Sequence, residues 1–418
     1  MARAMADASP LPQGVDAQAD RAPLGFAEFV ALIASLMALT ALGIDSMLPA
    51  LPAIGQALGV ATENQRQFVI TAFLIGFGIA QLFHGPFADR FGRRPVLIAA
   101  LAGYVLANIA AASATSFPLL LAARFLGGLC ISASRVVTVA LVRDCYSGRA
   151  MARVMSLAFM VFMAAPVLAP SFGQLILLFG DWRLIFLLIA GVSAVMLGWF
   201  AWRMPETLAP ERRLPLVPAR IAAAWRTAAT DRFSLGYTLA STVLLGALYG
   251  FINSVQQVVQ RLTGSDALLV PVFIGIASMM AIANLTNARI VLRLGTRRIS
   301  HSALAAFTLV SGVHLVIATT GHETIWSFAI LQALVMGCFG LATANFGAMA
   351  MERMGAIAGT ASSLQGFVTV TVGAVLGALV GQAFDGTTVP LYRGFLVAGM
   401  VAFAIVAITE RGRLFKPS

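Results

Sequence analysis

Twelve long runs of apolar residues divide this sequence, and each is long enough to cross a lipid bilayer as a helix. A membrane-spanning helix needs about 20 predominantly apolar residues. Only 11% of the residues are charged, against about 25% in a typical soluble protein. These features predict an all-α integral membrane protein with 12 transmembrane helices, and they exclude soluble enzymes, nucleic-acid binders and secreted domains. The runs cover 26–53, 66–86, 95–114, 117–142, 152–179, 182–202, 233–260, 267–292, 299–320, 324–350, 356–384 and 390–409.

The polar segments between the runs predict how the chain is organised. We expect a disordered cytoplasmic tail, a six-helix half, a proline-containing cytoplasmic linker, a second six-helix half and a short cytoplasmic tail, at 1–25, 26–202, 203–232, 233–409 and 410–418. A basic stretch follows the second run of each half, at 89–94 and at 293–298. Two parallel halves of six helices are typical of secondary transporters, which bind substrate between the halves near the middle of the membrane.

The positions of the basic residues predict the orientation of the chain. Most of the 28 Lys and Arg lie in the tails, in the linker or in loops after even-numbered runs. Because cytoplasmic loops carry an excess of Lys and Arg, we expect both termini in the cytoplasm. This distribution accounts for the net charge of +11 without a nucleic-acid partner, and it favours contact with anionic membrane lipid.

Asp45 is the single acidic residue inside an apolar run and away from its ends, in the outer half of the first run. A carboxylate at bilayer depth is expensive and marks a functional site. Arg124 lies at a similar depth in the fourth run, so the two side chains could meet. Desolvation favours the neutral form of a carboxyl group, and a nearby Arg favours the charged form. The pair is therefore a candidate for loading and releasing a proton, with a static ion pair between helices as the alternative.

Arg135 is the second of the two basic residues that lie inside a run and away from its ends. It follows Arg124 by 11 residues, almost three helical turns, so both lie on one face of the fourth run, roughly 16 Å apart. No acidic residue inside a run lies at its depth. The Arg135 side chain either extends to the cytoplasmic surface or lines the cavity, where it would attract negative charge on a substrate.

The loop after the second run has the most specific pattern in the chain, Gly85-Pro86-Phe87-Ala88-Asp89-Arg90-Phe91-Gly92-Arg93-Arg94. Its two glycines permit a tight turn, and its arginines would hold the loop at anionic headgroups. A topology anchor would need only the arginines, so the acid at position 89 indicates a further role. It can approach a helix N-terminus or a neighbouring Arg.

Further residues of the runs are candidates for gating or for substrate binding. Pro166 and Pro170 remove two backbone donors from the fifth run, which predicts a bend. Flexible Met side chains suit an adaptable cavity. Besides Arg135, the substrate-binding candidates are Asn108, Met160, Met163, Tyr237, Tyr249, Asn253, Gln256 and Asn345. The Cys and His residues show no metal-binding spacing, so we expect neither a metal nor another cofactor.

Several stretches resemble the bicyclomycin-resistance-type drug:proton antiporters of the major facilitator superfamily. Residues 85–94 match the superfamily's loop 2–3 signature without a gap. The other similar stretches are 45–52, 124–128, 142–148, 152–156, 165–170, 205–208 and 358–363. The resemblance implies a proton-driven exporter of the bacterial inner membrane.

The resemblance also implies roles for individual residues. Asp45 would be the proton-linked acid, and Arg124 the family's span 4 arginine. Asp89 would lock the two halves together against span 11 and Arg143 in the outward-open state. The candidates for this conformational switch are Gly85, Asp89, Arg90, Gly92, Arg93, Arg143, Pro166 and Pro170.

We therefore predict a monomeric transporter, without enzymatic activity, that exchanges protons for a small amphipathic compound by alternating access. The proton gradient would drive it. The alternative that Arg135 motivates is a proton-linked carrier of a metabolite or organic anion, acting as exporter or importer. A membrane-embedded enzyme or sensor would need a cluster of catalytic side chains at one membrane face, which the sequence does not contain.

Overall fold

A computed structural model describes residues 23–415, apart from the side chains of Ala152, Met163 and Ala356. Positions 1–22 of the predicted N-terminal tail and 416–418 of the C-terminal tail lie outside the described residues. The described part is all helical and contains no β-strand, as the apolar runs predict.

Twelve helices in the described part are long and apolar enough to cross a membrane, which confirms the predicted number. We number them spans 1 to 12: Phe26–Ala57, Glu63–Phe91, Arg93–Ala112, Phe117–Cys145, Gly148–Leu177, Arg183–Arg203, Arg232–Thr263, Leu269–Leu294, Thr296–Thr319, Ile325–Met351, Ala358–Gln382 and Val389–Thr409. Since successive spans alternate in direction, the loops after even-numbered spans share one end of the bundle. We call this the basic end, and the other the opposite end.

Span 1 is interrupted where the sequence predicts a single run. Its first helix ends at Asp45, and after a two-residue turn the chain forms a short 3-10 helix, Leu48–Ala50, and a second helix, Leu51–Ala57. Pro49 and Pro52 lack the backbone N–H that a continuous helix would use at these positions. The break therefore leaves the carboxyl group of Asp45 at a helix end in the interior of the bundle.

Span 5 packs closely against this break. A Cβ atom on Gly173 would overlap the carbonyl oxygen of Ser46, so only glycine allows the approach. Pro166 and Pro170 both lie within the single helix Gly148–Leu177. The two missing backbone N–H groups therefore do not interrupt the helix of span 5.

The linker contains a helix that the apolar pattern does not predict, Pro218–Thr230. Its Ala228 is buried against Met354 and Ala361, at the end of span 10 and the start of span 11. Asp231 then caps span 7, because its carboxylate accepts hydrogen bonds from two backbone N–H groups of the first turn, at 3.0 and 2.8 Å. The linker helix is thus packed against the C-terminal half.

Spans 1–6 and spans 7–12 meet along two seams. Span 2 packs against span 11, where Gln81 lies against Gly366 and Gly78 against Thr371. Span 11 forms a π-helical turn at this seam, Val368–Val372, and such turns are frequent at functional sites. The second seam joins span 5 to span 8. A substrate site between the halves would lie between these two seams.

Candidate transport site

A cavity of about 140 Å³ lies between the halves, at the position expected for a substrate site. Residues of spans 1, 5, 7, 8 and 10 line it. The lining is largely apolar, with Phe251, Phe273 and Met280 among its members, and it includes one charged residue, Asp45, and the phenol of Tyr249. An apolar cavity with a few convergent polar groups is the usual form of a small-molecule site.

Asp45 places a carboxyl group in the wall of this cavity. The residue is 4% exposed, and its Oδ1 has no hydrogen-bond partner among the described residues. A buried charge without a partner costs several kcal/mol. The protonated, neutral form of Asp45 is therefore favoured while the cavity is dry, and water or a substrate dipole would favour the charged form.

Arg124 is held by the backbone, and no ion pair joins it to Asp45 among the described residues. Its guanidinium donates hydrogen bonds to the carbonyl oxygens of Val69, at 3.1 Å, and Gly43, at 2.8 Å. It also lies 4.3 Å from the centroid of the Phe73 ring, a cation–π contact. The two residues share a region of the bundle, since Gly43 precedes Asp45 by two residues, but the direct pairing that the sequence suggests is not formed.

Arg135 lies on the face of span 4 that is turned towards the C-terminal half. Its side chain is exposed, yet its guanidinium interacts electrostatically with the phenol of Tyr249 in span 7. Tyr249 also interacts electrostatically with Asp45 and lines the cavity. An exposed side chain that faces the opposite half lines an internal, water-accessible space, so Arg135 stands beside the path between the cavity and the basic end.

Loop 2–3 forms a network of charges at the basic end. Asp89 accepts a hydrogen bond from the Arg93 guanidinium at 2.5 Å, and Asp144 of span 4 accepts another at 3.1 Å. Arg90 and Arg143 are exposed, and no described ion pair involves them. In this conformation Asp89, in the last turn of span 2, is therefore bound to Arg93 at the start of span 3, and the implied contact with Arg143 is not made.

Glu206, just after span 6, completes this network. Its carboxylate accepts hydrogen bonds from the backbone N–H groups of Arg93 and Arg94, at 3.0 and 3.2 Å, and so caps the start of span 3. Gly92 has a φ of +105°, and a Cβ atom there would overlap the Glu206 carboxylate. Gly92 is thus required by the turn and by the cap, whereas Gly85 lies within the helix of span 2.

Four amide side chains join the two halves at the opposite end, and we call them the clasp: Asn64, Gln67, Gln257 and Gln382. Buried Gln67 donates to Gln257 Oε1 at 2.6 Å and to the Gly381 carbonyl at 3.1 Å. Gln257 donates to Asn64 Oδ1 at 2.9 Å, and Asn64 donates to the Gln382 carbonyl at 3.0 Å. The clasp thus ties span 2 to spans 7 and 11 at the opposite end.

Comparison with known proteins identifies the family of this fold. A sequence model of the Major Facilitator Superfamily matches residues 33–378. This chain is a member of the major facilitator superfamily. It is therefore a membrane-embedded transporter of small molecules, and it is not an enzyme. Residues 85–94, which carry the loop 2–3 resemblance, lie within the matched region.

Individual members of the superfamily resemble the whole chain. It is 31% identical to the bicyclomycin resistance protein homolog of Haemophilus influenzae, over 91% of this chain and 94% of that protein. It is 30% identical to the multidrug resistance protein MdtL of Klebsiella pneumoniae, over 78% of this chain and 82% of that protein. The crystal structure of the human organic anion transporter MFSD10 (TETRAN) covers 92% of this chain with a TM-score of 0.62 and 21% identity, and all of that chain is covered. This last likeness shows the fold alone.

Several of the residues predicted to bind substrate do not line the cavity. Asn108 is buried and donates to the Tyr104 carbonyl of its own helix at 2.8 Å. Tyr237 donates to Glu410 at the basic end, and Gln256 donates to Asp266 at the opposite end at 2.9 Å. These residues have structural partners because a polar group in an apolar run most often satisfies a neighbouring backbone or loop atom.

The remaining candidates are divided between the seams and the cavity. Asn345 donates to Asn287 at 2.8 Å and ties span 10 to span 8. Asn253 lies at the interface between the halves, where its amide is 3.5 Å from Thr71 Oγ1. Met160 is exposed on span 5, Pro166 lines the cavity, and the side chain of Met163 lies outside the described part of the structure.

Sequence reasoning missed the clasp and the Glu206 cap. The clasp amides lie at or beyond the edges of the apolar runs, where polar residues are ordinary, and only their spatial convergence marks them. Glu206 stood in the stretch 205–208 that resembles the family, but its partners lie over 100 positions earlier. No group of three or more His, Cys, Asp or Glu that could hold a metal occurs among the residues that the structure describes.

Proposed function

We propose that this protein is a proton-coupled exporter of small amphipathic drugs or toxic compounds. It acts by alternating access in the inner membrane of a bacterium, as a monomer with both termini and the basic end in the cytoplasm. The unpaired Asp45 carboxyl group in the wall of an apolar cavity between the halves carries this proposal. The relatives named for bicyclomycin resistance and multidrug resistance support the substrate class, and the proton gradient takes the place of a cofactor.

The conformation supports assignment to the step of the transport cycle in which substrate enters the cavity. The clasp joins the two halves at the opposite end, and exposed Arg135 stands towards the basic end. The cavity would thus be loaded from the cytoplasm or the inner leaflet. Substrate that enters near Asp45 competes with its proton, and the opening of the clasp would then expose the cavity to the outside, where Asp45 takes up a proton and substrate leaves.

Proton exchange can be measured directly. In inverted membrane vesicles with an imposed pH gradient, acid inside, a transported compound should enter the vesicles and release protons in the same step. We expect compound-dependent collapse of the pH gradient in vesicles that contain the protein, and none in vesicles without it. A growth-inhibition panel in a pump-deficient host would choose the compounds. Accumulation that occurs only with the opposite gradient would favour proton-linked uptake instead.

Asp89 is expected to govern turnover and not affinity. It lies in the loop network at the basic end, away from the cavity, and its ion pair with Arg93 is half exposed, so Asp89→Ala should leave the fold intact. Arg93 keeps its second partner, Asp144. We expect slower transport with a binding constant within twofold of the wild type, and Glu211→Ala in the exposed linker as an unaffected control. A tenfold loss of affinity, about 1.4 kcal/mol, with normal turnover would place Asp89 in the binding site.

A second candidate function is the export or uptake of organic anions. The observation that favours it is the exposed guanidinium of Arg135 inside the bundle. This alternative keeps the fold, the cavity and the proton coupling, and it differs in the charge of the substrate and in the direction of flux.

A further inference from the structure

The two arginines within span 4 differ in how their charges are satisfied. Arg124 is 2% exposed, donates to two backbone carbonyls and lies against an aromatic ring. Arg135 is exposed, and within the described part of the chain no carboxylate pairs with it. Arg124 is thus part of the packing, whereas Arg135 has hydrogen-bond donors left for a ligand.

The surroundings of Arg135 indicate what it faces. The residue stands ten positions before Cys145, the last residue of span 4, and this separation is roughly 15 Å along the helix, longer than an Arg side chain. Its guanidinium interacts electrostatically with Tyr249, which belongs to the other half and lines the cavity. One turn earlier, Ser132 Oγ lies 2.7 Å from Nδ1 of His84 in span 2, so polar groups continue beside it. Arg135 therefore points into the space between the halves.

We propose that Arg135 recognises an anionic group, a carboxylate in particular, on an amphipathic substrate whose apolar body occupies the cavity. This inference rests on the proposed export function. A guanidinium matches a carboxylate with two parallel hydrogen bonds, and charge-assisted hydrogen bonds of this kind are stronger than neutral ones. They gain further strength where protein replaces bulk water.

The same charge works against cationic substrates. Like charges repel more strongly beside the low-dielectric walls of the bundle than in bulk water, so a lipophilic cation would be disfavoured in this space. Asp45 lies in the cavity wall, whereas Arg135 stands towards the basic end, so the anionic group would be held at Arg135 and the apolar body of the substrate would lie beside Asp45. Export of an anion is also favoured by a membrane potential that is negative inside, in addition to the proton gradient.

The test compares two probes that share one apolar body. One is a labelled aromatic carboxylate, and the other is its uncharged amide. Both are offered to inverted vesicles that contain the wild type, Arg135→Gln, Arg135→Lys or the control Arg226→Gln, whose side chain is exposed on the linker helix. We expect Arg135→Gln to raise the KM for the carboxylate at least tenfold and to leave the KM for the amide within twofold. Arg135→Lys should recover only part of the loss, because an ammonium keeps the charge but not the two parallel hydrogen bonds, and Arg226→Gln should match the wild type.

The outcomes separate the inference from the function on which it rests. Equal effects of Arg135→Gln on both probes, or no effect on either, would overturn the role of Arg135. So would gradient-driven transport of the amide but not of the carboxylate by the wild type, although export itself would then stand. If the wild type moved neither probe, nor any compound from the growth panel, under a pH gradient, the export function and this inference would both be wrong.

Discussion

Asp45→Asn is expected to reduce transport driven by a pH gradient to the background of vesicles without the protein. Asn keeps the shape of the side chain but cannot take up or release a proton. The site is lined by apolar groups, so the neutral amide is tolerated there at least as well as an unpaired carboxylate. The measurement is accumulation of a transported compound in inverted vesicles, with and without the gradient. Exchange of labelled for unlabelled compound without a gradient should persist.

Two matched variants show whether the loss belongs to the proton. Asp45→Glu keeps an ionisable group and should retain gradient-driven transport with an altered pH profile. Asp181→Asn makes the same chemical change in an exposed acid that pairs with Arg183 at 2.9 Å. Exposed pairs contribute about 0–1 kcal/mol to stability, so this variant should behave as the wild type. Full gradient-driven accumulation by Asp45→Asn would remove Asp45 from proton coupling.

The separation of Asp45 from Arg124 bears on the mechanism. In a closed ion pair the carboxylate would stay charged through the cycle, and the proton would have no place to bind. Arg124 instead satisfies its donors at Val69 and Gly43, while Asp45 has an oxygen atom without a partner. The arginine can therefore hold the backbone of span 1 just before its break, through the carbonyl of Gly43. The acid remains free to change its charge as water enters or leaves.

The fold was largely predictable because its dominant physical requirement is local. Each span must be apolar over its own length, so twelve runs and their order can be read directly from the sequence. The break after Asp45 and the linker helix escaped this reading. Span 1 stays apolar across Pro49 and Pro52, and the linker helix is short, rich in Ala and stabilised by Met354 and Ala361, which lie far along the chain.

Residues of the site were predictable from the sequence only where placing the residue inside an apolar run costs free energy by itself. Asp45 and Arg135 stood out because a charge inside an apolar run needs an explanation. Uncharged polar residues such as Asn108 and Gln256 carried no such signal, because their partners come from their own helix or from a nearby loop. The clasp depends on contacts between positions near 64 and positions near 257 and 382, and only the folded chain brings these together.

Cross-linking the clasp should stop transport completely. If the halves rock to open the opposite end, the hydrogen bonds between Gln67 and Gln257 must break in every cycle. A cleavable bifunctional thiol reagent that joins Gln67→Cys to Gln257→Cys, in a chain whose three native cysteines are replaced, would prevent this opening. Transport should fall to background and return after reduction.

The clasp can also be weakened without a cross-link. Gln67→Ala removes its bonds to Gln257 and Gly381 while Gln257 keeps Asn64 as a partner. Each net hydrogen bond contributes about 0.5–1.5 kcal/mol, so this variant should populate the state open at the opposite end more often. This shift would be measured as faster labelling of a Tyr249→Cys variant, whose cysteine lies at the cavity, by an impermeant thiol reagent.

The matched control for the cross-link is Gln256→Cys with Asp266→Cys. This pair lies at the same end but within one half, so joining it should leave transport unchanged. Unimpaired transport by the Gln67–Gln257 cross-linked protein would show that the opposite end does not open in the cycle, and alternating access through this clasp would have to be abandoned.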